Sequence, residues 1–375
     1  MVTPYSVSTS RQGLSFLWLE ITPKCNLECI HCYADSGPRR HLVGQMRIDD
    51  WLTVLSDSAD LGCQEVQFIG GEPTLHPDLA RMISFASTRG YKFIEVFTNA
   101  TNVNDGLLNV FLKHTVHVAI SFYSDDPETH ERVTKRRGSF ARTVEGVKRM
   151  LAAGLSIRAG IIETNENAGH AQNARLFLER MGVPEIRVDF QRRVGRGAAG
   201  LSSEPMSELC GECWKGKLCV TSSGCAYPCV FSRFAKVGMA KSGITTILAD
   251  ERLTDFRVDL RRYQDQKRIE STDSGTGTPC NPICSPCSPD QFKRCAPPVL
   301  DSASPRVLYG AQSAGSGCDP ICSPCGPGVF KCAPGRCAPK SSGYSSEAYA
   351  AASSACQPDQ SSDCGPQRFP KCNPR

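Results

Sequence analysis

No stretch of this chain reaches the ~18 consecutive apolar residues that a membrane-spanning helix needs, so no membrane partner is expected. The opening residues, MVTPYSVSTSRQG, lack the apolar segment of a secretory signal, and a cytoplasmic, reducing location is expected. Net charge is also scant. Lys and Arg number 43 against 38 Asp and Glu, which leaves +5 over 375 residues. So balanced a surface argues against a nucleic-acid partner gripped by a basic face.

Cysteine is what the chain has in excess. The 21 cysteines fall in groups: three at 25–32, Cys63 alone, five at 210–229 and twelve beyond residue 279. In a secreted chain such numbers would signal disulfides; in a reducing compartment, clustered thiols more often hold metal. Cys63 follows a helix-ending glycine and is read as packing.

Residues 14–192 alternate strand-like and helix-like segments. Strands are expected at FLWLEIT (16–22), EVQFIG (65–70), FIEVFT (93–98), VHVAISF (116–122), LSIRAGII (155–162) and EIRVDFQ (185–191). Helices are expected over 49–61, near 78–88, near 104–114, from a Ser139 cap to Gly154, and near 168–181. Repeated strand–helix units build a parallel sheet. Six units with no sign of two more predict an α/β fold of the open, partial-barrel kind, with a doubly wound sheet as competitor. Either way, ligands bind at the carboxyl ends of the strands.

The expected organisation is a flexible N-terminus (1–13), the barrel (14–192), a small cysteine-bearing segment (193–250), and a linker with a partly disordered Cys/Pro-rich tail (251–375). The tail repeats itself: CNPICSPCSPDQFKRCAP (280–297) returns as CDPICSPCGPGVFKCAP (318–334), with a shorter copy at 364–374. Its composition cannot build an apolar core, so it is disordered or held by metal.

TPKCNLECIHCYA (22–34) sets Cys25, Cys29 and Cys32 in a C-x3-C-x2-C pattern on the loop after the first strand. Three thiolates can ligate three irons of a cubane and leave the fourth open. Structural zinc usually takes four ligands in paired C-x2-C units, and three thiols on one short polar loop have no packing rationale. Gly70-Gly71-Glu72-Pro73 ends the second strand. Alone it could be an ordinary turn, but glycines there let backbone approach a ligand closely. Alternation along the strands turns Leu17, Leu19, Ile21, Val118 and Ile120 toward the helices, and Glu20, His117, Ser121, Arg158, Arg187, Asp189 and Gln191 inward. The inward set is a candidate site, with Asp189 and His117 as candidate catalytic residues. The alternative is that these groups satisfy one another as buried ion pairs.

These motifs resemble the radical S-adenosylmethionine (radical SAM) superfamily, whose signature is C-x3-C-aromatic-C. The resemblance covers roughly residues 14–192 and implies a partial (β/α)6 TIM-like barrel. It implies a [4Fe–4S] cluster on Cys25, Cys29 and Cys32. S-adenosyl-L-methionine would lie against His31, which occupies the aromatic position. The turn Gly70, Gly71, Glu72 and Pro73 would take its amino group and Ser121 its ribose. Arg158 is a candidate partner for its carboxylate, and Asn165 or Asn167 would fill a polar position after the fifth strand. Reductive cleavage of the cofactor would give a 5′-deoxyadenosyl radical that abstracts hydrogen from unactivated carbon.

LCGECWKGKLCVTSSGCAYPCVF (209–231) resembles the opening of SPASM and twitch extensions through Cys213-x10-Gly224-x4-Cys229. That implies an auxiliary iron–sulfur cluster, for which Cys210, Cys213, Cys219, Cys225 and Cys229 are the candidate ligands, with one thiol spare. Zinc is the competitor, because Cys210-x2-Cys213 is a permitted zinc pair. The tail cysteines only approximate the downstream pattern of that branch. Basic runs at 131–138 and 191–197 are solvated surface, or a grip on an acidic substrate segment.

The function expected is that of a radical SAM oxidoreductase or maturase in natural-product biosynthesis. Its favoured substrate is a ribosomally synthesised peptide undergoing cross-linking or oxidation, with electrons from a flavodoxin or ferredoxin. The alternatives are a radical dehydrogenase or epimerase of a carbohydrate or aminocyclitol small molecule, and a non-catalytic iron–sulfur or metal-binding protein.

Overall fold

The computed structural model describes residues 13–199, 204–213 and 215–273. The expected N-terminal flexibility, for residues 1–12, and the repeated tail lie outside the described residues.

Six parallel strands follow the expected order: β1 (Phe16–Thr22), β2 (Glu65–Gly70), β3 (Phe93–Thr98), β4 (His117–Phe122), β5 (Ile157–Glu163) and β6 (Glu185–Phe190). Helices α1 (Ile48–Asp60), α2 (Leu79–Thr88), α3 (Asp105–Lys113), α5 (Ser139–Ala152) and α6 (Ala171–Met181) lie between them. Helical spacing makes their buried faces. Trp51, Val54, Leu55 and Ser58 line one side of α1, and Leu79, Met82, Ile83 and Ala86 one side of α2. These faces meet Leu17, Leu19, Ile21, Val118 and Ile120 in one apolar core, as the alternation predicts. Cys63 packs in the same core, its thiol donating to Glu65 O at 3.4 Å.

Two local details differ from expectation. A further helix, α4 (Pro127–Thr134), precedes α5. Asp126 Oδ2 caps it by accepting from Thr129 N at 2.8 Å, and Pro127 stands at its first position, where a missing N–H does no harm. Ser139 does not cap α5. It is the first helical residue, after Gly138 at φ +76°, and its hydroxyl meets that of Thr134 at 2.7 Å.

The sheet runs β6-β5-β4-β3-β2-β1 without reversing, and among the described residues it does not close. A doubly wound sheet would reverse its order at a switch point; an open partial barrel does not. The sheet then continues past β1. Strand β7 (Lys217–Thr221) pairs in parallel with β1, and β8 (Cys225–Tyr227) and β9 (Gly238–Met239) add antiparallel. The cysteine-bearing segment is thus an extension of the barrel's own sheet. Helix α7 (Ile244–Leu248) follows, and then α8 (Glu251–Asp273) occupies residues expected as linker. Its buried Leu253, Phe256 and Leu260 recur at helical spacing. Among the described residues no helix is long and apolar enough to cross a membrane.

Candidate active site

Residues at the carboxyl ends of β2 to β6, together with the loop after β1, line a cleft that opens to solvent. Cys25, Cys29, His31 and Cys32 line it from the loop. Gly70 and Gly71 line it from the end of β2, Ser121 from β4 and Asp189 from β6. The two sequence motifs thus share one wall and are stitched together. Gly71 N donates to Thr22 O at 2.7 Å, and Glu72 N to Lys24 O at 2.8 Å.

The three thiols are buried or half-buried. Burial, reinforced by the neighbouring thiols, pushes the Cys29 thiol up to about 12 and that of Cys25 higher still. Alone, such thiols stay protonated at neutral pH. Yet hydrogen-bond donors converge on all three sulfurs. Leu27 N and Asn99 Nδ2 reach Cys25 Sγ at 3.4 and 3.7 Å, Tyr123 Oη reaches Cys29 Sγ at 3.9 Å, and Ser36 N reaches Cys32 Sγ at 3.4 Å. Donors aimed at sulfur favour thiolate, and a cationic iron group would draw off the protons outright. The donor set therefore fits an iron–sulfur cluster. His31 fits an apolar, stacking role. Its ring meets Tyr123 edge-on at 5.0 Å, and burial, aided by the Arg196 charge, lowers it to about 4, so it is neutral at pH 7.

Glu72 and Pro73, expected to touch the cofactor, are not among the cleft-lining residues. The fully buried Glu72 carboxylate instead accepts from Thr74 N, Thr74 Oγ1, Thr98 Oγ1 and Asn99 N at 2.6–3.1 Å, which ties the turn to β3.

The inward-facing polar set divides. Ser121 and Asp189 line the cleft, Asp189 in a buried pair with Arg192 at 3.2 Å. His117 and Arg158 do not line it. His117 stacks on Phe93, with ring centroids 4.5 Å apart. Arg158 makes a two-pronged pair with Glu95 at 2.7 and 2.8 Å, while Gln67 holds the same carboxylate. Glu20 pairs with Arg233 of the following segment. Gln191 donates to Gly197 O at 3.0 Å, and Asn167 is bound to Tyr123 O and Ile162 O. The ion-pair alternative thus describes Arg158, with side chains of the pair only 6% and 1% exposed. Arg158→Met is expected to lower unfolding stability by about 3–5 kcal/mol, because Glu95 is left charged and buried. Denaturant titration reads the loss. The folded fraction should keep wild-type cofactor affinity; normal stability with lost affinity would return Arg158 to the site.

Sequence reasoning passed over Tyr123, Asn99, Arg192 and Arg196 as members of the cleft wall. Tyr123 had a signal, since it stands two residues beyond Ser121 and continues the period of the inward set just past the strand end.

In the second cysteine region, Cys210, Cys213, Cys219 and Cys229 are buried in one apolar patch with Phe16, Trp18 and Phe231. The Cys213 thiol is raised well above its ordinary range by hydrogen bonds with Cys210 and Cys229 and by burial. Cys225 is half-buried, its sulfur 3.8 Å from Met239 Sδ. Among the described residues, no three His, Cys, Asp or Glu side chains are grouped as ligands of a single metal ion.

Residues 19–168 match the model of the radical SAM superfamily. The family implies a [4Fe–4S] cluster and S-adenosylmethionine. The chain is 26% identical over 180 residues to the antilisterial bacteriocin subtilosin biosynthesis protein AlbA of Bacillus subtilis (strain 168), covering 48% of this chain and 40% of that protein. It is 28% identical over 183 residues to the mycofactocin maturase MftC of Mycobacterium ulcerans (strain Agy99), covering 48% of each. The chain thus matches about half the length of these relatives, or less. Among solved structures, native anSMEcpe with bound AdoMet aligns with a TM-score of 0.52 at 15% identity, covering 65% of this chain and 82% of that one. That likeness concerns the fold.

Proposed function

We propose that the protein is a radical SAM enzyme that modifies a peptide. One observation carries the reading: three thiols on one loop and a Gly-Gly strand end share a single cleft at the carboxyl ends of parallel strands β2 to β6. Cys25, Cys29 and Cys32 hold the cluster, and Gly70 and Gly71 offer backbone to the cofactor. When bound, cluster and cofactor together supply a carbon-centred oxidant able to take hydrogen from an unactivated carbon. Ile69, Phe97, Ile162 and Phe231 give the cleft apolar walls that keep water from such an oxidant. Asp189, paired with Arg192, is the ionisable group of the notional catalytic pair that reaches the cleft; His117 is left a packing role.

The four buried thiols at 210, 213, 219 and 229 are the proposed ligands of an auxiliary iron–sulfur cluster in the 193–250 segment. A flavodoxin or ferredoxin is the proposed electron donor. Support for a peptide comes from the similar proteins, whose names include a bacteriocin biosynthesis protein and a PqqA peptide cyclase.

The test is anaerobic incubation of the iron-replete chain with S-adenosylmethionine and reductant. Formation of 5′-deoxyadenosine is expected, increased by a short peptide encoded beside the gene, whose mass should fall by two hydrogens. No 5′-deoxyadenosine from iron-replete protein would sink the enzymatic reading. Turnover of a sugar with no response to any peptide would move the substrate to the carbohydrate class.

A further inference from the structure

The run QRRVGRG (191–197) folds against the cysteine loop. Gly195–Ala198 form a single 3-10 turn after β6. Arg196 grips the loop three ways: its backbone N donates to Cys32 O at 3.0 Å, its Nε to Cys29 O at 2.9 Å, and its Nη1 pairs with Asp35 at 2.9 Å. Gly195 is required by the closeness of this turn to the cysteine loop, and Gly197 by the closeness of the turn to its own preceding residues. A Cβ on Gly195 would stand 2.4 Å from Tyr33 O and 2.6 Å from Cys32 O; one on Gly197 would stand 2.2 Å from Arg192 O.

One edge of the guanidinium remains unused. Arg196 Nη2 is buried without a hydrogen-bond partner, and Arg196 is part of the cleft wall. A buried N–H with no acceptor is costly unless a ligand satisfies it. The group that Cys25, Cys29 and Cys32 would hold lines up with this same wall, and three thiolates would make it electron-rich. Net charge and neighbouring donors are among the levers that set a cluster's reduction potential.

We propose that Arg196 is a positioning residue for the primary cluster. It fixes the loop through the Cys29 and Cys32 carbonyls and sets a fixed positive charge against the thiolate-bound group, which raises its potential. This rests on the reading of Cys25, Cys29 and Cys32 as cluster ligands.

The experiment compares full-length wild type, Arg196→Gln and Arg196→Lys, reconstituted without oxygen. It measures the thermal midpoint of each apoprotein, iron and sulfide per chain, and the cluster's potential by redox titration. The apoproteins are expected to melt together. Arg196→Gln should then lower the reduced-to-oxidised ratio at fixed poise about tenfold, equivalent to about 59 mV for a one-electron couple, while Arg196→Lys restores it. Loss of iron from the glutamine variant with retention by the lysine variant would equally support the proposal. Unchanged iron and potential in Arg196→Gln would overturn it. So would a lysine variant that behaves like the glutamine variant, or apoproteins destabilised alike, which would make the arginine a brace of the fold. A wild-type chain that takes up no iron at residues 25–32 would instead end the reading of the cysteines themselves.

Discussion

Replacing Cys25, Cys29 and Cys32 together with alanine is expected to abolish 5′-deoxyadenosine formation while leaving iron bound elsewhere in place. Among the described residues, no other thiol lines the cleft. Cys63 is buried in the core with its thiol turned to Glu65 O, and the four-thiol patch beside Trp18 and Phe231 is a separate group. The variant should still fold, because Cys29 and Cys32 are only half-buried and none of the three belongs to either apolar cluster. Iron and sulfide analysis beside product chromatography separates the outcomes. Undiminished 5′-deoxyadenosine from the triple variant would end the assignment of the loop.

The second large effect is expected at Gly71. A side chain at this strand end would obstruct the backbone's close approach to the cofactor, and the structure adds a nearer obstacle. A Cβ there would stand 2.1 Å from Lys24 O, 2.5 Å from Lys24 C and 3.0 Å from Cys25 N. These are backbone atoms of the cysteine loop itself, so relief requires the loop to move. Overpacking of this kind typically costs about 1–3 kcal/mol and sometimes more. Gly71→Val is therefore expected to weaken cofactor binding at least about tenfold and to reduce iron retention with it, on the lower end of that range. Gly71→Ala should share both defects, since the clash begins at Cβ. Calorimetric titration of cofactor and iron per chain read the two losses. Normal values for both in the valine variant would show that the turn does not abut the cluster loop.

Period-two alternation in the barrel strands places Leu17, Leu19, Ile21, Val118 and Ile120 in the core, but it carries no information about depth. His117 and Arg158 stand near the amino ends of β4 and β5, Ser121 and Asp189 near the carboxyl ends of β4 and β6. Only the latter two reach the cleft, because ligands collect at the carboxyl end of such a sheet. Arg158 was legible as an inward charge, while its partner Glu95, in the middle of FIEVFT, was not weighed against it. Helix α4 was readable from its Asp126-Pro127 start, a local capping signal. Strand β7 was not readable in that way. Its five residues acquire their place from β1, some two hundred positions earlier, and no local pattern encodes so distant a neighbour. The same holds for Arg196, whose basic run is indistinguishable from solvated surface until the fold lays it across the cysteine loop.

The pairing of β7 with β1, from Phe16 opposite Lys217 to Glu20 opposite Thr221, makes the first strand of the barrel an interior strand. Removing 217–239 would uncover a row of unbonded peptide groups beside Phe16 and Trp18, which are now 1% and 3% exposed. An uncovered, apolar strand edge recruits other chains. The cysteine-bearing segment is therefore no detachable cassette. An exchange of this segment between proteins would have to bring a strand of the same direction and reach, or the barrel it leaves behind would polymerise.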